Sequence, residues 1–155
     1  MIEIPRILDQ LERAFEGDAW HGPSLRELLK NVTAQRANSK PSPDIHSIWE
    51  IVLHITAEQD VARRRLVGET VADLPPESDW PPIPDTRETA WQQAVKRLVE
   101  SKEKLRQSIS QISDDRLEKI VPGKGYSAYV LLHGVIQHNI YHAGQIAILK
   151  KLPPS

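Results

Sequence analysis

Apolar residues recur at helical spacing along most of the chain, and no segment shows the strict alternation of a half-buried strand. Ile4, Ile7, Leu8, Leu11 and Phe15 mark a first helix over residues 4–15, ended by Gly17. Pro23 and the capping-box order Ser24-Leu25-Arg26-Glu27 open a short helix over residues 24–32, and Ser39-Lys40-Pro41-Ser42-Pro43 reads as loop. A second long helix runs from about Asp44 to Val67, with Gly68 as its stop. Its apolar sector passes through Ile45, Ile48, Trp49, Val52, Leu53 and Ile55. Five prolines between Pro75 and Pro84 exclude regular structure there. Asp85 or Thr86 caps a third helix that continues to about Ile112, with Trp91, Val95, Leu98, Leu105 and Ile109 inward. Gly123-Lys124-Gly125 breaks the chain again. A last helix spans about Ser127 to Leu152, ahead of Pro153-Pro154.

Long helices joined by irregular crossings specify an all-α four-helix bundle with a short extra helix and a proline-rich crossover loop. With no internal repeat or linker, residues 1–155 form a single expected domain, and 17.6 kDa suits one. Only 5% of residues are aromatic against 39% hydrophobic, so aliphatic side chains must fill the core. Twenty Lys+Arg against 21 Asp+Glu argue against nucleic-acid binding driven by bulk charge. The short cluster Arg63-Arg64-Arg65 reads as a solvated helix face at least as well as a phosphate site. Cysteine is absent, which excludes disulfides, Cys-based zinc sites and protein thiol nucleophiles. The opening Met1-Ile2-Glu3-Ile4-Pro5-Arg6 lacks a signal-like apolar run, and no stretch reaches membrane-spanning length. A cytoplasmic protein without a membrane partner is expected.

The candidate chemistry lies in six histidines: His21, His46, His54, His133, His138 and His142. His138 and His142 stand at i,i+4, a step of about 40° and about 6 Å, so both rings can grip one ion. Leu131, Gly134, Val135, Tyr141, Gln145, Leu149 and Leu152 fall within roughly 60° of His138, which places the pair on the expected core stripe. Buried imidazoles need hydrogen-bond partners or a metal, and spacing alone leaves both open. His54 lies at the edge of its helix's apolar sector, as a third ligand or as a surface histidine. Glu58, one turn later, is either a solvated glutamate or a group that takes a proton. His21 beside Trp20 is a loop residue or a pocket-mouth residue, and His46 stabilises a turn or approaches the pocket. Gln145 is a packing residue or a partner to a ligand. His133, about 140° from His138, falls outside the site. Gly134 and Gly144 suggest close helix approach, and Trp49 and Trp91 read as core anchors.

Three separated blocks carry a family resemblance. Trp20-His21-Gly22-Pro23-Ser24, the run from His46 to Ile55 (His46-Ser47-Ile48-Trp49-Glu50-Ile51-Val52-Leu53-His54-Ile55) and the run from Gly134 to Ile146 around Gln137-His138-Asn139-Ile140-Tyr141-His142-Ala143-Gly144-Gln145 resemble the DinB/YfiT-like superfamily. The resemblance spans nearly the whole chain. It implies a DinB-like bundle, often dimeric, in which one histidine of the second long helix and two of the last hold a divalent metal. By position these are His54, His138 and His142. Members carry the general description of metal-dependent hydrolases, and relatives include thiol-dependent transferases and isomerases, so the resemblance names no substrate.

Three neutral imidazoles suit Zn or Ni, with Mn, Fe or Co also compatible, and leave a coordination position open. That position suits a water for hydrolysis of a small-molecule substrate. It equally suits a thiolate for S-transfer, in which case a low-molecular-weight thiol must be supplied, because the chain has none. The alternative class is a non-catalytic metal-binding helical dimer that acts as an interaction module. For assembly, Leu132, Ile136, Ile140 and Ala147 lie about 120–200° from His138. An apolar face there suggests a homodimer, unless the N-terminal helix or the crossover covers it.

Overall fold

The computed structural model describes residues 3–153; the Met1-Ile2 start and the Pro154 stop lie outside it. Among the described residues seven α-helices follow one another: α1 (Glu3–Phe15), α2 (Leu25–Leu29), α3 (Ala34–Asn38), α4 (Ile48–Leu66), α5 (Pro76–Asp79), α6 (Glu88–Ser110) and α7 (Ala128–Leu149). One 3₁₀ turn at Asp114–Arg116 and an isolated bridge between Ile120 and Ser127 complete the secondary structure, and no strand occurs among the described residues. The chain is all-helical, as its periodicity requires. Among the described residues no helix is long and apolar enough to cross a membrane.

Local signals set most boundaries, with informative departures. The expected 24–32 helix is shorter, α2 alone, and a second one-turn helix, α3, follows at Ala34–Asn38 where none was expected. Ser24 and Glu27 close a capping box on α2, and Thr33 caps a separate α3 through the Arg36 amide. The long helix expected from Asp44 starts at Ile48, because Ser47 and Glu50 form a second capping box; Ile45 is left outside it, 44% exposed. The proline segment is not wholly irregular, since Pro75 and Pro76 initiate the single turn α5, where missing N–H groups cost nothing.

Helices α4 and α6 pack together, α4 also meets α7, and α1 bridges α6 and α7, closing a four-helix ring. Two apolar clusters fill it. One joins Phe15, Trp49, Ile55, Trp91, Leu98 and Ile146; the other joins Ile7, Leu11, Leu66, Leu105, Ile109 and Leu132. Trp49 and Trp91 are core anchors as expected, tilted against each other at 5.3 Å, and the Trp91 indole N–H donates to the Val32 carbonyl at 2.7 Å. The clusters also order the helices. From N- to C-terminus, α4 and α6 both run from the first cluster to the second, whereas α1 and α7 run the other way. Parallel α4 and α6 need a connection that returns along the bundle, and the proline-rich segment is that return.

The face of α7 that suggested a dimer is covered from within at Leu132 and Ile136, whereas Ile140 stays 36% exposed. Leu132 is 1% exposed and Ile136 7%, both in the cluster that contains Ile4, Ile7 and Leu11 of α1. The buried sector of α7 centres about 80° round from His138, not on it, so Tyr141 is 67% exposed instead of core-facing. Gly134 and Gly144 do not serve close approach either: a Cβ at either position would meet nothing within 4 Å. Arg65 is likewise not a solvated face residue, being 6% exposed.

Candidate metal centre

Helix α4 supplies His54 just ahead of Ile55 in one cluster, and α7 supplies His138 and His142 between Ile136 of the other cluster and Ala143 of the first. The three imidazoles therefore meet at the seam between the two apolar clusters. One ligand atom from each lies within 4.8 Å of the others. His54 is not at a surface edge, as its place on the helical wheel left open, but 7% exposed; His142 is 5% exposed and His138 half-buried.

The outer nitrogens are spoken for. His54 Nδ1 lies 2.9 Å from the Asp79 carbonyl oxygen, which accepts its hydrogen, with Asp79 Oδ1 at the same distance. His142 Nδ1 lies 2.6 Å from Gln145 Oε1, so Gln145 is a partner to the histidine and not a packing residue. Oxygen acceptors on Nδ1 fix the hydrogen there and leave Nε2 bare. His54 Nε2 faces His138 Nε2 at 2.9 Å. Two bare imidazole nitrogens repel at that separation, so a proton on His138 or a cation must mediate the contact. The donor chemistry fits a first-row divalent ion: three nitrogens, two of them oriented by oxygen acceptors.

Burial favours the neutral form of the two α7 rings. Burial is the main cause that pushes the His138 imidazole down to about 4, helped by His142 and His54. Burial also lowers His142, against the opposing hydrogen bond that its Nδ1 donates to Gln145. Glu58 moves the other way. Desolvation, then its hydrogen bond and charge repulsion with Asp79, raise its carboxyl to about 7, against the opposing charge of Arg65. Glu58 and His138 line one cavity of about 270 Å³ between α4 and α7. The glutamate is thus half-buried beside the histidine group and is not an ordinary solvated side chain.

Sequence reasoning missed Asp79 and Trp80, which the crossover carries to the site. The Trp80 ring is sandwiched in parallel between His46, at 3.5 Å and 4°, and His54, at 4.0 Å and 5°. His46 therefore approaches the site through Trp80, while its Nδ1 lies 3.5 Å from Glu50. His21 lines a separate hollow with Trp20, Arg13 and Ile140. His133 packs on Tyr129 at 4.2 Å and takes no part in the group. An acid and an indole amid prolines give no periodic signal, and only the topology brings them over His54.

The sequence pattern of the DinB superfamily matches residues 19–146, and the chain belongs to that family. The matched region holds all three histidines of the group. A solved structure described as a conserved protein from Enterococcus faecalis is similar in fold. Its TM-score is 0.63 at 20% identity, over 96% of this chain and 91% of that one. No curated protein matches the chain.

Proposed function

We propose that this protein is a metal-dependent enzyme acting on a small molecule, in which His54, His138 and His142 hold a divalent first-row ion, Zn or Ni before Mn, Fe or Co. One observation carries the reading: three imidazoles converge with Asp79 and Gln145 holding outer nitrogens, so that Nε2 lone pairs are presented inward. When bound, the ion supplies a Lewis-acidic position that lowers the pKa of a water or of a low-molecular-weight thiol, which gives a hydrolase or an S-transferase. The chain does the rest. Asp79 and Gln145 orient the rings, Trp80 excludes water from one face of His54, and Glu58 holds a proton that it gives up near neutral pH. The cavity beside Glu58 and His138 receives the substrate.

Metal analysis of tag-free protein tests this, with about one ion per chain in wild type and little in a His138→Ala, His142→Ala double variant. Equal metal in both would end the proposal. A non-catalytic metal-binding homodimer is the second reading, favoured by the exposed Ile45, Ile148 and Leu152 around one apolar groove. Chelation separates the two, since loss of the ion must abolish turnover in an enzyme.

A further inference from the structure

The cavity beside the histidines has a second end with its own chemistry. It follows α4 from Glu58 past Ala62 to Arg65, and α7 from His138 past Gly134 to Val130. At 1.5 Å per residue these spans are about 10 and about 12 Å. The walls between are apolar, through Ala62, Leu131 and Val135. The far end is built from Arg65 and Tyr126. Arg65, 6% exposed, uses four of its five N–H groups: two on the Val71 carbonyl, one on Asp73 and one on the Tyr126 hydroxyl. Tyr126 oxygen accepts that bond, so its own hydrogen is free to donate. One Arg65 N–H and one phenol O–H are therefore unspent at the same place.

The charge there is also unbalanced. Asp73 is shared by Arg65 at 2.9 Å and Lys124 at 2.5 Å, two cations on one anion at this end, with Glu58 at the other end of the cavity. A buried guanidinium with a spare donor beside a free hydroxyl is a receptor for an oxygen anion. The middle of the cavity suits methylenes along Ala62, Leu131 and Val135, with the Gln59 amide as a polar exception. Gln59 adds unmet polar capacity on the same wall, being 1% exposed with neither amide atom partnered. Such a group costs stability unless something else uses it.

We infer that this cavity binds a small, extended molecule with a terminal carboxylate, its carboxylate held by Arg65 and Tyr126, its apolar middle against Ala62, Leu131 and Val135, and its other end at His138 and Glu58. Only the assignment of that other end as the reacting end rests on the metal-dependent enzyme reading. Gly134 lines the passage, and a Cβ there meets nothing within 4 Å, so a long side chain at this position has open space to enter.

The test uses the full chain and two six-carbon probes, hexanoate and hexan-1-ol, titrated by NMR into metal-free protein and again after loading with cobalt. Hexanoate should shift amide signals around Tyr126, Gly134 and Val135 and bind at least about tenfold tighter than the alcohol, the scale of a charge-assisted hydrogen-bonded pair. Arg65→Gln should erase that preference, Tyr126→Phe should reduce it several-fold, and Gly134→Leu should block both probes. If Arg65→Gln does not fold, the other two variants carry the test. Equal affinity for acid and alcohol, or unchanged hexanoate binding in Gly134→Leu, overturns the inference. Metal content is read on the same samples. Protein that prefers hexanoate but takes up no cobalt refutes the metal reading alone, and protein that loads cobalt without the preference refutes this inference alone.

Discussion

Glu58 and His138 face one cavity with opposite protonation tendencies, and the pH dependence of each can be worked out. The Glu58 carboxyl lies at about 7 when folded against 4.5 when free, so the folded state keeps a proton that the unfolded chain releases. Its contribution is present below pH 4.5 and is lost as pH rises through about 7. Glu58→Gln should therefore match wild type in metal-free melts at pH 4.5 and exceed it progressively up to neutrality. The gain is a few degrees at most, because a half-exposed carboxylate is screened. A difference in Tm that shrinks with pH would contradict the assignment. For the proposed activity, Glu58→Gln should lower kcat by about 10²–10⁴-fold with metal content unchanged, the range of a lost acid–base group. His138 behaves inversely. Its ring at about 4 keeps it neutral in the folded state, so stability falls as pH drops from 6.5 towards 4. The pair His138 and His142 was legible from its i,i+4 spacing, whereas His54 joined it only through the family resemblance. The environment of Glu58 was not legible, since its raised carboxyl depends, after burial, on a hydrogen bond and charge repulsion with Asp79, which arrives from a different element.

Among the elements, the return connection between parallel helices contributes most to the site. Because α4 and α6 point the same way, residues 67–87 must run back along the bundle, interrupted by the single turn α5. That path lays Asp79 and Trp80 over His54. Trp80→Ala should weaken metal affinity roughly ten- to a hundredfold, the usual effect of removing a ligand's support, and Trp80→Phe much less. Asp79→Asn should weaken it less than Trp80→Ala, because the main-chain carbonyl that holds His54 remains. Competition titrations with a chromophoric chelator measure all three, and an unchanged affinity in Trp80→Ala would remove the strap from the site. The helices themselves were readable to within a few residues, except where capping chemistry outranked spacing, as Ser47 and Glu50 do at α4. The phase of α7 was misread for a physical reason. This helix is apolar around most of its circumference, packs on both α1 and α4, and so gives periodicity no single direction to report.

For the whole molecule, burial of Leu132 and Ile136 under α1 removes one argument for assembly and leaves a different surface. Tyr141 is 67% exposed, Ile148 63% and Ile45 44%, whereas a monomer gains nothing by keeping large apolar groups in water. Ile45, Ile148 and Leu152 line a groove of about 300 Å³ that His46 and Gln145 also touch. Gln145 holds His142, and His46 lies on Trp80, so a second copy seated there would cover the outer supports of the histidine group. Assembly and metal binding would then be linked, with dimer formation stabilising the residues that orient the ligands. Sedimentation equilibrium at micromolar concentration should give twice 17.6 kDa for wild type, and a value near 17.6 kDa for Ile148→Lys. Ile148 touches neither the ligand atoms nor the cavity beside Glu58, so a fall in metal affinity of this variant would report the lost partner. A wild-type mass that stays at 17.6 kDa across the concentration range would remove the dimer and leave the groove as ordinary monomer surface.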